Sequence, residues 1–131
     1  MSSLPVRYLD PGVALPEGTR VLANTDDVLA VPDLAGVATI ALQFPKWTDG
    51  RAYSQAVLLR GRARWAGELI ATGDVVADML PLLRRCGFDT VQLRADQRVE
   101  TAQRALGFFG GAAEAQPYQA TLAERHPEVQ P

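Results

Sequence analysis

The sequence predicts a single α/β domain of βαβ units, with a mainly parallel sheet flanked by helices. Three observations carry this. Residues 37–44 (VATIALQF) are apolar on both faces, as a central strand must be when helices cover both sides of a parallel sheet. Strand-like and helix-like runs then alternate along the chain, and right-handed crossovers turn that order into a parallel sheet. Finally, 131 residues at 47% hydrophobic and 21% charged fill one core and leave little room for a second.

In chain order, residues 6–9 and 20–23 are short extended runs bounded by Pro and Gly. Asn24-Thr25-Asp26-Asp27 is a turn or helix cap, and 28–34 is a short helix interrupted at Pro32. Strand 37–44 ends at Pro45. Residues 51–60 follow as a helix, with Ala52, Ala56 and Leu59, and Tyr53 and Val57, at spacings of three and four. A short strand at 68–71 leads into a helix with the stripe Val75, Met79, Leu82 and Cys86; Pro81 inside it predicts a kink or two short helices. Strand 90–93 precedes a helix at 97–109 striped by Val99, Ala102, Leu106 and Phe109. A last strand is expected within 112–120. This divides the chain into an N-terminal extended segment (1–23), an α/β core (24–120) and a flexible tail (121–131).

Composition excludes several chemistries. One cysteine, Cys86, and one histidine, His126, rule out an internal disulfide, a thiolate-held iron–sulfur cluster, a four-cysteine zinc site and a His-rich metal site. No apolar run approaches the roughly 20 residues of a membrane span, and the start MSSLP lacks a signal peptide's basic and apolar regions, so a cytoplasmic location is expected. Neither G-x-G-x-x-G nor a phosphate-loop motif is present, and Gly110-Gly111 closes a helix rather than opening one. Trp47, Tyr53 and Trp65 lie among basic residues, but a net charge of −2 argues against nucleic acid. Charge is segregated: residues 46–104 hold ten Lys and Arg against seven Asp and Glu, whereas the ends hold three against eight.

Ligands of parallel sheets gather at the carboxyl ends of the strands, where residues 46–51, 72–74 and 94–98 should converge. Phe44-Pro45-Lys46-Trp47-Thr48-Asp49-Gly50-Arg51 leaves the best strand and opens a helix, whose free N–H groups, with Lys46 and Arg51, suit a small oxyanion. The structural alternative has Asp49 capping the helix, Gly50 permitting close packing, and Arg51 paired with Glu68 or Asp74. In Gly67-Glu68-Leu69-Ile70-Ala71-Thr72-Gly73-Asp74, Asp74 reads most simply as an N-cap. Glu68 begins its strand, lies at the far rim, and should pair with an arginine. Cys86 falls on an apolar stripe and is expected to be buried and inert, with no histidine near enough to serve as its base.

FPKWTDGRAYSQAVLLR together with GELIATGDVVADMLPLLRRCGFDTVQL resembles a bacterial family catalogued as a domain of unknown function, over residues 24–119. The family pattern is Phe-Pro-x-aromatic-x-Asp-Gly-Arg, then a Leu-Arg helix, Gly-Glu-Leu-Arg-Ala-x-Gly-Asp-Val and Arg-x-Gly-Phe-Asp. This chain departs from it at Ile70 and Met79. The resemblance implies a partner of assimilatory sulfite reductase, encoded beside that enzyme and labelled an oxidoreductase of sulfite reduction. It singles out Asp49, Gly50, Arg51, Arg60, Glu68, Gly73 and Asp74. The expected function is therefore an accessory role in sulfite reduction, binding an oxyanion or an acidic partner such as sulfite reductase or its electron carrier. A small enzyme on an oxyanionic substrate, a flavin-dependent oxidoreductase and a non-catalytic structural subunit are the alternatives. The chain encodes no redox centre by motif, so an oxidoreductase would need a bound flavin or a partner to carry electrons. A homodimer through Trp65 or Phe108 stays open.

Overall fold

The structure, a computed structural model, describes residues 6–108. The strand expected within 112–120, the tail 121–131 and the Gly110-Gly111 helix end lie outside the described residues. Five strands, β1 (Arg7–Leu9), β2 (Arg20–Leu22), β3 (Thr39–Phe44), β4 (Glu68–Gly73) and β5 (Thr90–Gln92), form one all-parallel sheet in the order β1-β5-β4-β3-β2. Helix α1 (Arg51–Gly61) joins β3 to β4, α2 (Leu80–Arg85) joins β4 to β5, and α3 (Val99–Phe108) follows β5.

From β2 to β5 the chain moves one place across the sheet at each crossover, always the same way. Right-handed connections then put every helix on one face. The core confirms it: Ile40, Leu42, Leu69, Ala71 and Val91, alternate positions of the three central strands, share one apolar cluster with Ala52, Ala56 and Leu59 of α1, Leu80 and Leu83 of α2, and Ala102 and Leu106 of α3. Helices on both sides were expected; among the described residues they lie on one. The opposite face carries Ala41, Ile70 and Thr90, aligned in register and all at 0% exposure. The β1–β2 connection runs the other way, edge to edge, so the same handedness sends it over this second face. Gln92 Nε2 anchors its start by donating to the carbonyls of Asp10 (2.9 Å) and Val13 (3.0 Å).

Local chemistry explains where elements begin and end. The helix expected over 28–34 is two short 3₁₀ turns, Val28–Ala30 and Leu34–Gly36. Asp27 caps the first through the Leu29 N–H, and Asp33, with a left-handed φ of 54°, starts the second after Pro32 has broken the run. The stretch around Pro81 is two pieces, a 3₁₀ turn at Ala77–Met79 and then α2, with the proline in the first turn where its missing N–H costs no helical bond. The buried stripe of α1 includes two polar residues, Gln55 and Arg60, while Val57 is 38% exposed. Trp65, considered above as a dimer contact, is buried and donates its indole N–H to the Val37 carbonyl. Among the described residues no helix is long and apolar enough to cross a membrane.

Candidate functional site

Three strand exits are stitched together at the carboxyl rim. The Asp74 N–H donates to the Phe44 carbonyl and the Arg94 N–H to that of Val75, tying the ends of β3, β4 and β5. Gly73 makes the first of these possible: its φ is +100°, and a Cβ there would lie 2.5 Å from the Phe44 carbonyl oxygen.

Side chains complete the rim. The Asp74 carboxylate accepts the Trp47 backbone N–H at 2.7 Å through one oxygen and Arg94 Nη1 at 2.7 Å through the other. Arg94 also grips Asp96 with both arms of its fork, at 2.6 and 2.9 Å. Gln97 accepts the Ala77 N–H, which fixes the 3₁₀ turn against the start of α3. Across the rim, Asp49 accepts the Arg51 N–H at 3.1 Å and Asn24 Nδ2 at 2.8 Å, linking the exit of β2 to the start of α1.

These bonds set the charge states. The Arg94 guanidinium and then the Trp47 N–H hold the Asp74 carboxyl below the usual carboxylate range, and Arg94 does the same for Asp96. The Arg51 N–H and Asn24 lower Asp49. The Arg94 guanidinium is held more firmly protonated by Asp96 and Asp74. All three carboxylates are therefore fixed as anions and are poor general bases near neutral pH.

The segments 46–51, 72–74 and 94–98 do meet here, although their residues take different parts from those expected. Asp74 is not an N-cap, because its carboxylate is committed to Trp47 and Arg94 across the rim; the 3₁₀ turn starts only after Val76. Arg51 approaches Asp49 at 3.7 Å rather than Glu68 or Asp74, and its side chain stays 63% exposed. Lys46 and Gly50 are exposed beside it. The helix N-terminus expected to cradle an oxyanion already faces the carboxylate of Asp49, which would repel a second anion.

Two of the residues singled out lie at the opposite rim. The Arg60 guanidinium is sealed in the interior, donating to the carbonyls of Gly87, Trp65 and Gly67 and to Asp89 at 2.8 Å. Burial lowers its pKa and Asp89 opposes the shift. Glu68 pairs with Arg7 at 3.1 Å, as expected of a residue beginning its strand, and accepts the Thr90 hydroxyl at 2.6 Å. Cys86 is buried, and that burial pushes its thiol up.

Composition and charge give Trp47 no role, yet it is the most exposed large apolar residue among the described residues, at 55%. Its peptide is pinned by Asp74, Lys46 precedes it and Arg51 opens the next helix. Arg94, Asp96 and Gln97 complete the rim. The Arg-x-Asp spacing at 94–96, placed just past a strand, was the sequence signal for that clamp.

Among the described residues, the fold is an α/β sheet with its helices on one face, and its carboxyl rim presents an aromatic and charged surface. The chain belongs to the family of bacterial proteins of unknown function DUF934, whose model matches residues 18–129. No match was found among curated proteins or solved structures.

Proposed function

We propose that this protein is a non-catalytic accessory of assimilatory sulfite reduction that docks on an acidic protein surface, that of sulfite reductase or its electron carrier. One observation carries the docking reading: a tryptophan whose backbone N–H is held by Asp74 stands 55% exposed between Lys46 and Arg51. Exposing an indole costs solubility, and aromatic anchors beside Arg or Lys are what protein interfaces use as hot spots. The family resemblance of the FPKWTDGR and GELIATGD stretches supplies the pathway. A protein partner is favoured over a free oxyanion because the Asp49 carboxylate already accepts the Arg51 N–H at the helix terminus. An enzyme is disfavoured because Asp49 and Asp74 are held as weak bases.

The test is capture of purified sulfite reductase, and separately of its electron carrier, on the immobilised full chain. Binding should weaken with salt, as exposed charge pairs do. Trp47→Ala should weaken it by about tenfold or more, and Arg51→Glu should slow association. Binding of neither protein, or binding indifferent to both substitutions, overturns the reading. A rise in Tm with millimolar sulfite that Arg51→Ala removes would instead support the oxyanion.

A further inference from the structure

Beside Trp47 lies an open hollow of about 290 Å³, lined by Trp47, Val76, Ala77, Asp78, Arg94, Gln97 and Thr101. Its volume lies at the small end of ligand pockets and leaves room for a side chain. Arg94 gives it a misleadingly cationic look, because Asp74 and Asp96 together take three of its donor contacts. Two carboxylates around one guanidinium leave that unit net negative. Asp78 stands exposed on the same wall, in no ion pair among the described residues, and adds a further negative charge. Arg94 and Asp78 are the charged residues lining the hollow, and with Asp74 and Asp96 bound to Arg94 the local balance is negative, which disfavours an entering anion. A cation would meet the Trp47 indole and the Asp78 carboxylate, groups of the kind that hold ammonium and guanidinium ions.

We propose that this hollow receives a cationic side chain, arginine or lysine, from the docking partner. The inference rests on the docking reading and deepens it. Trp47 then divides the surface into a Lys46–Arg51 flank that takes acidic groups and an Asp78 flank that takes a basic one. The partner must match it with an acidic patch adjoining a basic residue. Two neighbouring charges of opposite sign fix orientation as well as attraction, since a partner turned end for end would set like charges together.

The test needs no partner. The full chain is titrated with N-acetyl-arginine amide, and in parallel with N-acetyl-glutamate amide, while the indole N–H resonances are followed by NMR. Trp65, buried with its indole N–H on the Val37 carbonyl at 3.0 Å, is an internal reference. The Trp47 resonance should shift saturably with the arginine compound, with millimolar affinity, while Trp65 stays still. Asp78→Asn, a change at an exposed position, should weaken this binding about threefold or more. Glutamate amide, whose place is the Lys46–Arg51 flank, should give a smaller Trp47 shift that Asp78→Asn does not weaken. An unmoved Trp47, an equal response to glutamate, or binding unaffected by Asp78→Asn overturns the proposal. Arginine binding by the free chain without capture of sulfite reductase or its carrier would sink that partner assignment alone and leave the hollow's specificity standing.

Discussion

Arg60 and Cys86 show how far a residue's chemistry is set by where its side chain ends. Arg60 lies in the last turn of α1, reaches into the interior and spends its guanidinium on three carbonyls and Asp89. A buried charge of this kind survives only when its donors are used. Arg60→Ala should therefore destabilise the protein by about 3–5 kcal/mol. Arg60→Lys should recover only part of that, because one ammonium cannot span the Gly87 and Gly67 carbonyls as the planar fork does. Urea unfolding of both variants checks the order. Cys86 is the opposite case, a group kept neutral by burial. At pH 8 its reaction with a thiol reagent should run at least ~10-fold slower in the folded chain than in the same chain unfolded in urea.

At the scale of elements, β4 and α2 contrast two rigid positions. Gly73 ends β4 at φ +100°, and a Cβ would collide with the Phe44 carbonyl that accepts the next N–H. Gly73→Ala should cost about 1–3 kcal/mol from backbone strain, with more from the collision. It should also loosen the Trp47 loop, seen as faster exchange of the Trp47 amide. Pro81 lies inside a helical pattern and reads as a breaker, yet it occupies the first turn of α2. Pro81→Ala should change stability by less than about 1 kcal/mol, because no helical hydrogen bond is missing there and the proline only restricts the unfolded chain. Thermal unfolding of the two variants separates these outcomes.

For the whole molecule, the rim couples folding to acid. The carboxyls of Asp49, Asp74 and Asp96 are lowered by donors that exist only in the folded state. The unfolded chain, with ordinary values near ~4, takes up protons first as pH falls. The stability these groups confer is thus complete above that range and lost as pH drops through their folded values. Urea midpoints measured from pH 6 to pH 3 should fall along this limb. Asp74→Asn should lower the midpoint at pH 6 and flatten the decline, since one of the three groups no longer titrates.

What the sequence determined by itself was local. Apolar runs, Pro and Gly placed β3, α1, β4, β5 and α3 to within a few residues, because strand and helix periods are written in neighbouring side chains. The order of those runs made the sheet parallel and brought the segments after β3, β4 and β5 to one rim. Side-chain partners were decided only by the tertiary structure. Asp74 looked like a cap because a local carboxylate before a helix usually is one. It serves instead as a bracket, since the Trp47 N–H and Arg94, 27 and 20 residues away in sequence, arrive at 2.7 Å. That the helices among the described residues lie on one face was equally hidden, because β3 reads as apolar on both faces whichever layer covers them. Its helical side follows from the direction in which successive crossovers step across the sheet, a property of strand order that no single segment contains.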